Sequence, residues 1–167
     1  FTYFLDTRLM SYRVSTGQSA EIRDFATDFP GWGIVAVGTG AEGSPSADGR
    51  LFGLMAQKPN ASQDYEALAF LVYDRTANQI LAMRDLRAAP LPANNVTISP
   101  LGDYFVAEID LACSGGLGTD ANPCGTMVYT AALTNGRGIV RDSPHGDVAL
   151  DAAGREVFLH QDNATDF

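Results

Sequence analysis

The residues best placed to do chemistry lie in the stretch SPHGDVALD (143–151), where His145 and Asp147 are separated by one residue. In an extended segment that spacing points both side chains to one face, which suits a divalent metal or a hydrogen-bonded acid–base couple. A His in such a place also serves structurally, bonding across to the next strand, and the other His, His160, is fifteen residues away. Glu42, in GTGAEGSPS (38–46), and Glu108, in Glu108-Ile109-Asp110, are further carboxylates near predicted strand ends. Were those strands to surround a channel, Glu42, Asp147 and Glu108 would ring it with negative charge and favour a cation. The plainer reading of each is a solvated loop carboxylate. Trp32, the single Trp, sits between Gly31 and Gly33. It can serve as a stacking platform for a sugar ring or as an aromatic wedge between packed sheets. Asp120 and Asn122 offer oxygens to calcium, without the spaced acids and closing Glu of a true calcium loop.

Cys113 and Cys124 bracket SGGLGTDANP (114–123) and are the only two Cys. With no His pair beside them they are expected to form a disulfide stapling a long loop, since a metal site normally asks for four ligands. A disulfide implies an oxidising compartment, extracellular or periplasmic. Asn60, Asn95 and Asn163 each open an Asn-x-Ser/Thr triplet, the acceptor pattern for glycosylation where the source carries it out. No nucleophile elbow, phosphate loop, Gly-x-Gly-x-x-Gly followed by a helix or His-Glu-x-x-His motif is read in the sequence, so no catalytic residue is assigned and no cofactor is called for beyond the weak case for a divalent cation. The net charge of −9 repels a phosphate backbone and an anionic membrane alike. Nucleic acid is not an expected partner, and the longest apolar run, residues 67–73, is strand-sized, so no membrane insertion is expected.

What would position these residues is a repeat. SADGRLFGLMAQ (46–57) is followed by two looser copies, SPLGDYFVAEI (99–109) and LDAAGREVFLH (150–160), their glycines, Gly49, Gly102 and Gly154, 53 and 52 residues apart. A second marker runs through LMSYRVSTGQSAEIRDF (9–25), FLVYDRTANQILAMRDL (70–86) and TMVYTAALTNGRGIVRDS (126–143). In each, a Tyr (Tyr12, Tyr73, Tyr129) precedes a small polar turn and an Arg-Asp pair (Asp24, Asp85, Asp142), with Tyr-to-Asp spacings of 12, 12 and 13. Two markers keeping one order at this period point to an array of similar units. Each unit reads as four short strands joined by tight turns, with helical spacing nearly absent. Asn135-Gly136 is a hairpin signal because both residues tolerate positive φ. Asp48, Asp103 and Asp151 read as turn-makers.

These repeats resemble the blades of bacterial secreted and periplasmic β-propellers, which carry a Ser-Pro-Asp-Gly-Lys/Arg turn followed by an apolar strand. LMSYRVSTGQ and FLVYDRTANQ resemble the third strand of such blades. The likeness covers nearly all of the chain, with departures at Leu101, which replaces the turn Asp, and in the third copy, which lacks Ser-Pro. It implies an all-β domain of about three four-stranded antiparallel blades: a half blade over 1–28, blades over 29–88 and 89–144, and a half blade over 145–167. The opening half supplies two outer strands (8–14 and 20–25) and the closing half two inner ones (147–150 and 156–161). Three blades are fewer than the four to eight of usual rings. The expectation is therefore a segment of a larger ring, completed by further blades or other chains; the start at Phe1, without initiator Met or leader, reads either as processing or as a piece of something longer. A small closed form or a ring of several chains is the alternative. The implied function is a secreted or surface binding and assembly module, taking protein or carbohydrate at His145, Asp147, Glu42, Glu108 or Trp32. The rival is a propeller-fold polysaccharide lyase or hydrolase with a metal or His-based site at the channel mouth.

Overall fold

A computed structural model describes residues 2–5, 7–35, 45–59, 65–140, 148–150 and 157–159. Short β-branched and aromatic runs between polar turns make an all-β chain. The strands are β1 (Thr2–Leu5), β2 (Arg8–Arg13), β3 (Gln18–Asp24), β4 (Gly33–Val35), β5 (Leu51–Pro59), β6 (Tyr65–Asp74), β7 (Gln79–Asp85), β8 (Ala93–Ile98), β9 (Tyr104–Ile109), β10 (Gly125–Thr130), β11 (Arg137–Val140), β12 (Val148–Leu150) and β13 (Val157–Leu159), with one 3-10 turn over Phe25–Thr27. They form antiparallel meanders in chain order: a first sheet of β1 to β3, a second of β4 to β7, a third of β8 to β11, and a two-stranded β12–β13 pair.

The second sheet is the middle layer. Successive residues of β6 point to opposite faces, as a pleated strand requires. Phe70 and Val72 join Met55 against Ile98, Phe105, Ile109, Met127 and Tyr129 of the third sheet. Leu71 and Tyr73 join Phe52 and Leu54 against Leu9 and Phe25 of the first. That is why residues 67–73 form an unbroken apolar run: both faces are covered. Phe70, Phe105 and Tyr129 sit at ring-centroid separations of 5.4, 6.1 and 6.4 Å in an aromatic cluster at the second interface.

The Ser-x-x-Gly turns recur as the same object. At the first, Gly49 N donates to Ser46 O (2.7 Å) and Leu51 N to Ser46 Oγ (2.8 Å). At the second, Gly102 N donates to Ser99 O (2.8 Å) and Tyr104 N to Ser99 Oγ (3.0 Å). Gly49 and Gly102 have φ of +68° and +78°, which L side chains resist. The Asp is dispensable because the Ser hydroxyl closes the turn. Asp48 adds a bond from Arg50 N (3.0 Å), and Leu101 simply lies exposed in its place. Ala47 N donates to Pro100 O (2.7 Å), so the two turns stack on each other.

The Tyr and Arg-Asp markers turn out to be one contact made twice. Arg23, at the end of the first sheet, lies over the Tyr73 ring of the second (5.7 Å from guanidinium carbon to centroid) and donates through Nη1 to Asn78 O (2.8 Å). Arg84, at the end of the second, lies over the Tyr129 ring of the third (5.1 Å), reaching Leu133 O (3.5 Å) and Asp120 O (2.7 Å). Each following Asp closes its strand alike: Asp24 and Asp85 accept from the backbone N–H two residues on, both at 2.9 Å. A cation over an aromatic face is worth about 0.5–2 kcal/mol, more when water is excluded.

The structure revises two expectations. The opening half holds three strands, not two, because Thr2–Leu5 pairs with β2 (Phe4↔Leu9); four residues are too few for alternation to register. Its pairing puts β1 in the second-strand place, which β13 also holds, so joining the two ends would give five strands. At the predicted Asn135-Gly136 hairpin the positive φ falls on Leu133 (58°) and Asn135 (56°). Gly136 is needed for closeness: an added Cβ would strike the Tyr129 ring and lie 2.7 Å from Asp120 Oδ1.

Candidate functional site

Of the candidate residues among those described, Trp32 lines one open cleft, and Asn122 with the two Cys borders another. The 3-10 turn carries the chain out of the first sheet, capped by Asp24, whose carboxylate accepts from Ala26 N and from Thr7 Oγ1. Phe29 N donates back to Phe25 O and Trp32 N to Phe29 O, folding residues 28–32 over the edge of the second sheet. The result is an open cleft of about 580 Å³ lined by Asp28, Phe29, Pro30 and Trp32 on one side and Ala69, Ile80, Met83, Asp85 and Arg87 on the other.

Its polar groups are already engaged. Arg23 grips Asp28 through Nη2 at 2.7 Å. Arg87 grips Asp85 through both its backbone N and its guanidinium, at 2.9 Å for Nε to Oδ1. Those Arg87 bonds hold the Asp85 carboxyl at about 2, below the ordinary 3.8. Asp85 is therefore ionised at neutral pH and cannot act as a general acid there. The Trp32 indole stacks on Phe29 (5.1 Å, 25° between planes) and carries the Arg87 guanidinium 5.6 Å from its centroid. Trp32 also packs, half-buried, against the core of the first interface. What the cleft offers a ligand is apolar area at Met83, half exposed, and Ile80, flanked by carboxylates neutralised by arginine.

Glu108 lies elsewhere. It is 4% exposed on β9, on the face of the third sheet opposite Phe105 and Ala107, which pack on the second. Its register partners are Asn95 on β8 and Thr126 on β10. Three oxygen-bearing side chains thus lie in one buried row, with Asn95 Oδ1 and Thr126 Oγ1 lacking a hydrogen-bond partner. Sequence reading took Glu108 as a strand-end carboxylate and missed its neighbours, although polar residues inside the apolar runs NNVTI and FVAEI were the available signal. Asn95 is 8% exposed, so attaching a glycan there would have to precede folding.

Glu42, His145, Asp147, Asn60 and Asn163 lie outside the described residues. Trp32 and Glu108 are not brought together; Trp32 precedes β4 of the second sheet and Glu108 lies on β9 of the third. Among the described residues no group of three or more His, Cys, Asp or Glu is arranged to hold a metal, and no helix is long and apolar enough to cross a membrane. Asp120 is turned from calcium binding to Arg84 (2.9 Å) and to Gly136 N (3.0 Å).

Cys113 and Cys124 form the expected disulfide, with Cα atoms 5.3 Å apart. The loop between β9 and β10 that it staples borders a second open cleft of about 630 Å³, lined by Leu91, Leu111 and Leu117 among others. Burial pushes the Tyr129 hydroxyl up to about 12. The chain matches no protein-family model and no curated protein.

Proposed function

We propose that the chain is a segment of a secreted or surface β-propeller acting as a binding and assembly module. The observation that carries this is the recurrence of one inter-sheet contact: Arg23 with Tyr73, then Arg84 with Tyr129. Sheets joined twice by the same residues at the same strand positions are related by nearly the same operation each time, and such repetition generates a radial or superhelical array. The four-strand meanders and the stacked Ser-Gly turns support the radial form. The disulfide supports an oxidising compartment. The arginine-saturated carboxylates of the Trp32 cleft favour binding over bond cleavage, with an apolar protein segment or a sugar face as occupant. Electron-microscopy images of the purified chain test the reading. Sheets radiating about a channel sustain it, and two flat layers without an axis contradict it. Metal content before and after His145→Ala separates the module from the enzyme alternative, for which bound metal or turnover would vanish with the substitution.

A further inference from the structure

We propose that the disulfide loop is a thiol-sensitive latch: while Cys113–Cys124 is closed, Asp120 holds Arg84 over the Tyr129 ring, and opening the bond loosens the second sheet from the third but not the first from the second. This goes beyond the binding-module reading and does not depend on whether the sheets close into a ring.

The loop is laid against the third sheet rather than left hanging from it. Thr119 bridges Arg137 of β11 in antiparallel fashion, and Gly138 N donates to Gly118 O (2.7 Å). Only glycine permits so close an approach: a Cβ on Gly118 would lie 2.5 Å from Met127 Sδ, and one on Gly138 would strike the Gly118 backbone. Thr119 and Asn122 then exchange backbone hydrogen bonds, both at 3.1 Å, closing a tight turn that carries Asp120. There the loop meets the second sheet. Asp120 Oδ1 accepts from Arg84 Nη1 (2.9 Å) and Gly136 N (3.0 Å), and Asp120 O accepts from Arg84 Nη2 (2.7 Å). The bond from Arg84 to Leu133 O is longer, at 3.5 Å, and correspondingly weak. The guanidinium lying 5.1 Å from the Tyr129 centroid is thus oriented chiefly by the stapled loop.

The first interface makes the same Arg–Tyr contact without this support. Arg23 is held over Tyr73 by Asp28, five residues on in its own chain segment (2.7 Å), and by Asn78 O in the turn after Tyr73 (2.8 Å). Neither lies in a segment closed by a disulfide, and the chain has no further Cys. The staple matters at the second interface because the loop is costly to order: Gly115, Gly116 and Gly118 all lie within it. Its ion pair with Arg84 recovers little of that cost, since the Asp120 side chain is 50% exposed. Both cysteines line the open cleft of about 630 Å³, where a dissolved dithiol reaches them. The dithiol transfers two electrons and two protons, leaving Cys113 and Cys124 as thiols and itself as a disulfide.

Double-mutant cycles at both interfaces, read by urea unfolding of the full chain with and without dithiothreitol, test the latch. In the oxidised chain Arg84→Met with Tyr129→Leu should show a coupling of about fivefold or more in the unfolding equilibrium constant, falling below about twofold on reduction. Arg23→Met with Tyr73→Leu should keep its coupling in both states. A staple that acts only on the unfolded chain would lower the stability of every variant alike and leave both couplings unchanged; that result overturns the proposal. So does an oxidised chain without coupling at Arg84, or loss of both couplings together on reduction. Should the reduced chain not fold, the oxidised Asp120→Ala variant carries the test: the Arg84–Tyr129 coupling should fall by at least about twofold with the Arg23–Tyr73 coupling intact. An Arg84–Tyr129 coupling indifferent to Asp120→Ala overturns the latch. Images showing flat layers rather than radiating sheets would sink the propeller reading and leave this one standing.

Discussion

The first and second sheets share strand order, turn chemistry and the Tyr and Arg-Asp positions, yet they differ in what they bury. In the second, Phe70 and Val72 on one side and Leu71 and Tyr73 on the other are all sealed. In the first, Leu9 and Phe25 are sealed while Leu5, Tyr12 and Val14 stay exposed, Val14 at 78%. Among the described residues, the same unit is thus sealed on both faces in the second sheet and on one face in the first.

The comparison is broken most severely at the aromatic cluster. Phe70→Ala should cost about 3–5 kcal/mol in denaturant unfolding, because the rigid neighbours Phe105 and Tyr129 cannot close the space. Met10→Ala, at its counterpart strand on the half-covered sheet, should cost much less. Equal losses would remove the distinction. Next comes the third sheet's staple. Reducing Cys113–Cys124 should lower stability by about 3 kcal/mol, read as the shift between melts with and without a reductant.

A smaller effect is expected at Asp74, 2% exposed, which accepts from Arg50 Nε (2.7 Å), Thr76 N and Ala77 N. Asp74→Ala should cost about 1–3 kcal/mol at neutral pH. The Arg50 bond, then the Ala77 bond, lowers its carboxyl below the ordinary 3.8. A group whose folded value is lowered stabilises fully above its unfolded value and loses that contribution as pH falls through the folded one. The gap between wild type and variant should therefore be widest near neutrality and close in acid below pH 3.8. A gap constant down to strong acid would contradict it.

Tyr129→Phe should be the mildest change and of opposite sign. The buried hydroxyl has no hydrogen-bond partner, so removing it should leave stability unchanged or raise it by up to about 1 kcal/mol. Because the folded hydroxyl titrates at about 12 against an ordinary 10.0, wild type should lose stability as pH rises from the lower value toward the upper, and the Phe variant should lose less. Urea midpoints across that range measure it.

Much of this fold was legible in the sequence. The unbroken run at 67–73, the turns at Gly49 and Gly102 and the Cys pair each obey a local rule, and each appears where that rule put it. The contact between Arg and Tyr was visible only as two separate markers, since nothing within one unit says that its Arg serves the next. Thr2–Leu5 was too short to read. The site was less legible than the fold. Trp32 has its ring covered by Phe29 and Arg87, and Glu108 lies in a polar row that depends on register between three strands, which spacing along the chain does not encode.

The most direct test of the inter-sheet contact is a double-mutant cycle on Arg84→Met and Tyr129→Leu, followed by urea unfolding. A coupling of about 1–2 kcal/mol, matched in sign by Arg23→Met with Tyr73→Leu, is the predicted result. Strict additivity at both interfaces, within about 0.3 kcal/mol, would contradict the claim that one repeated contact holds successive sheets together.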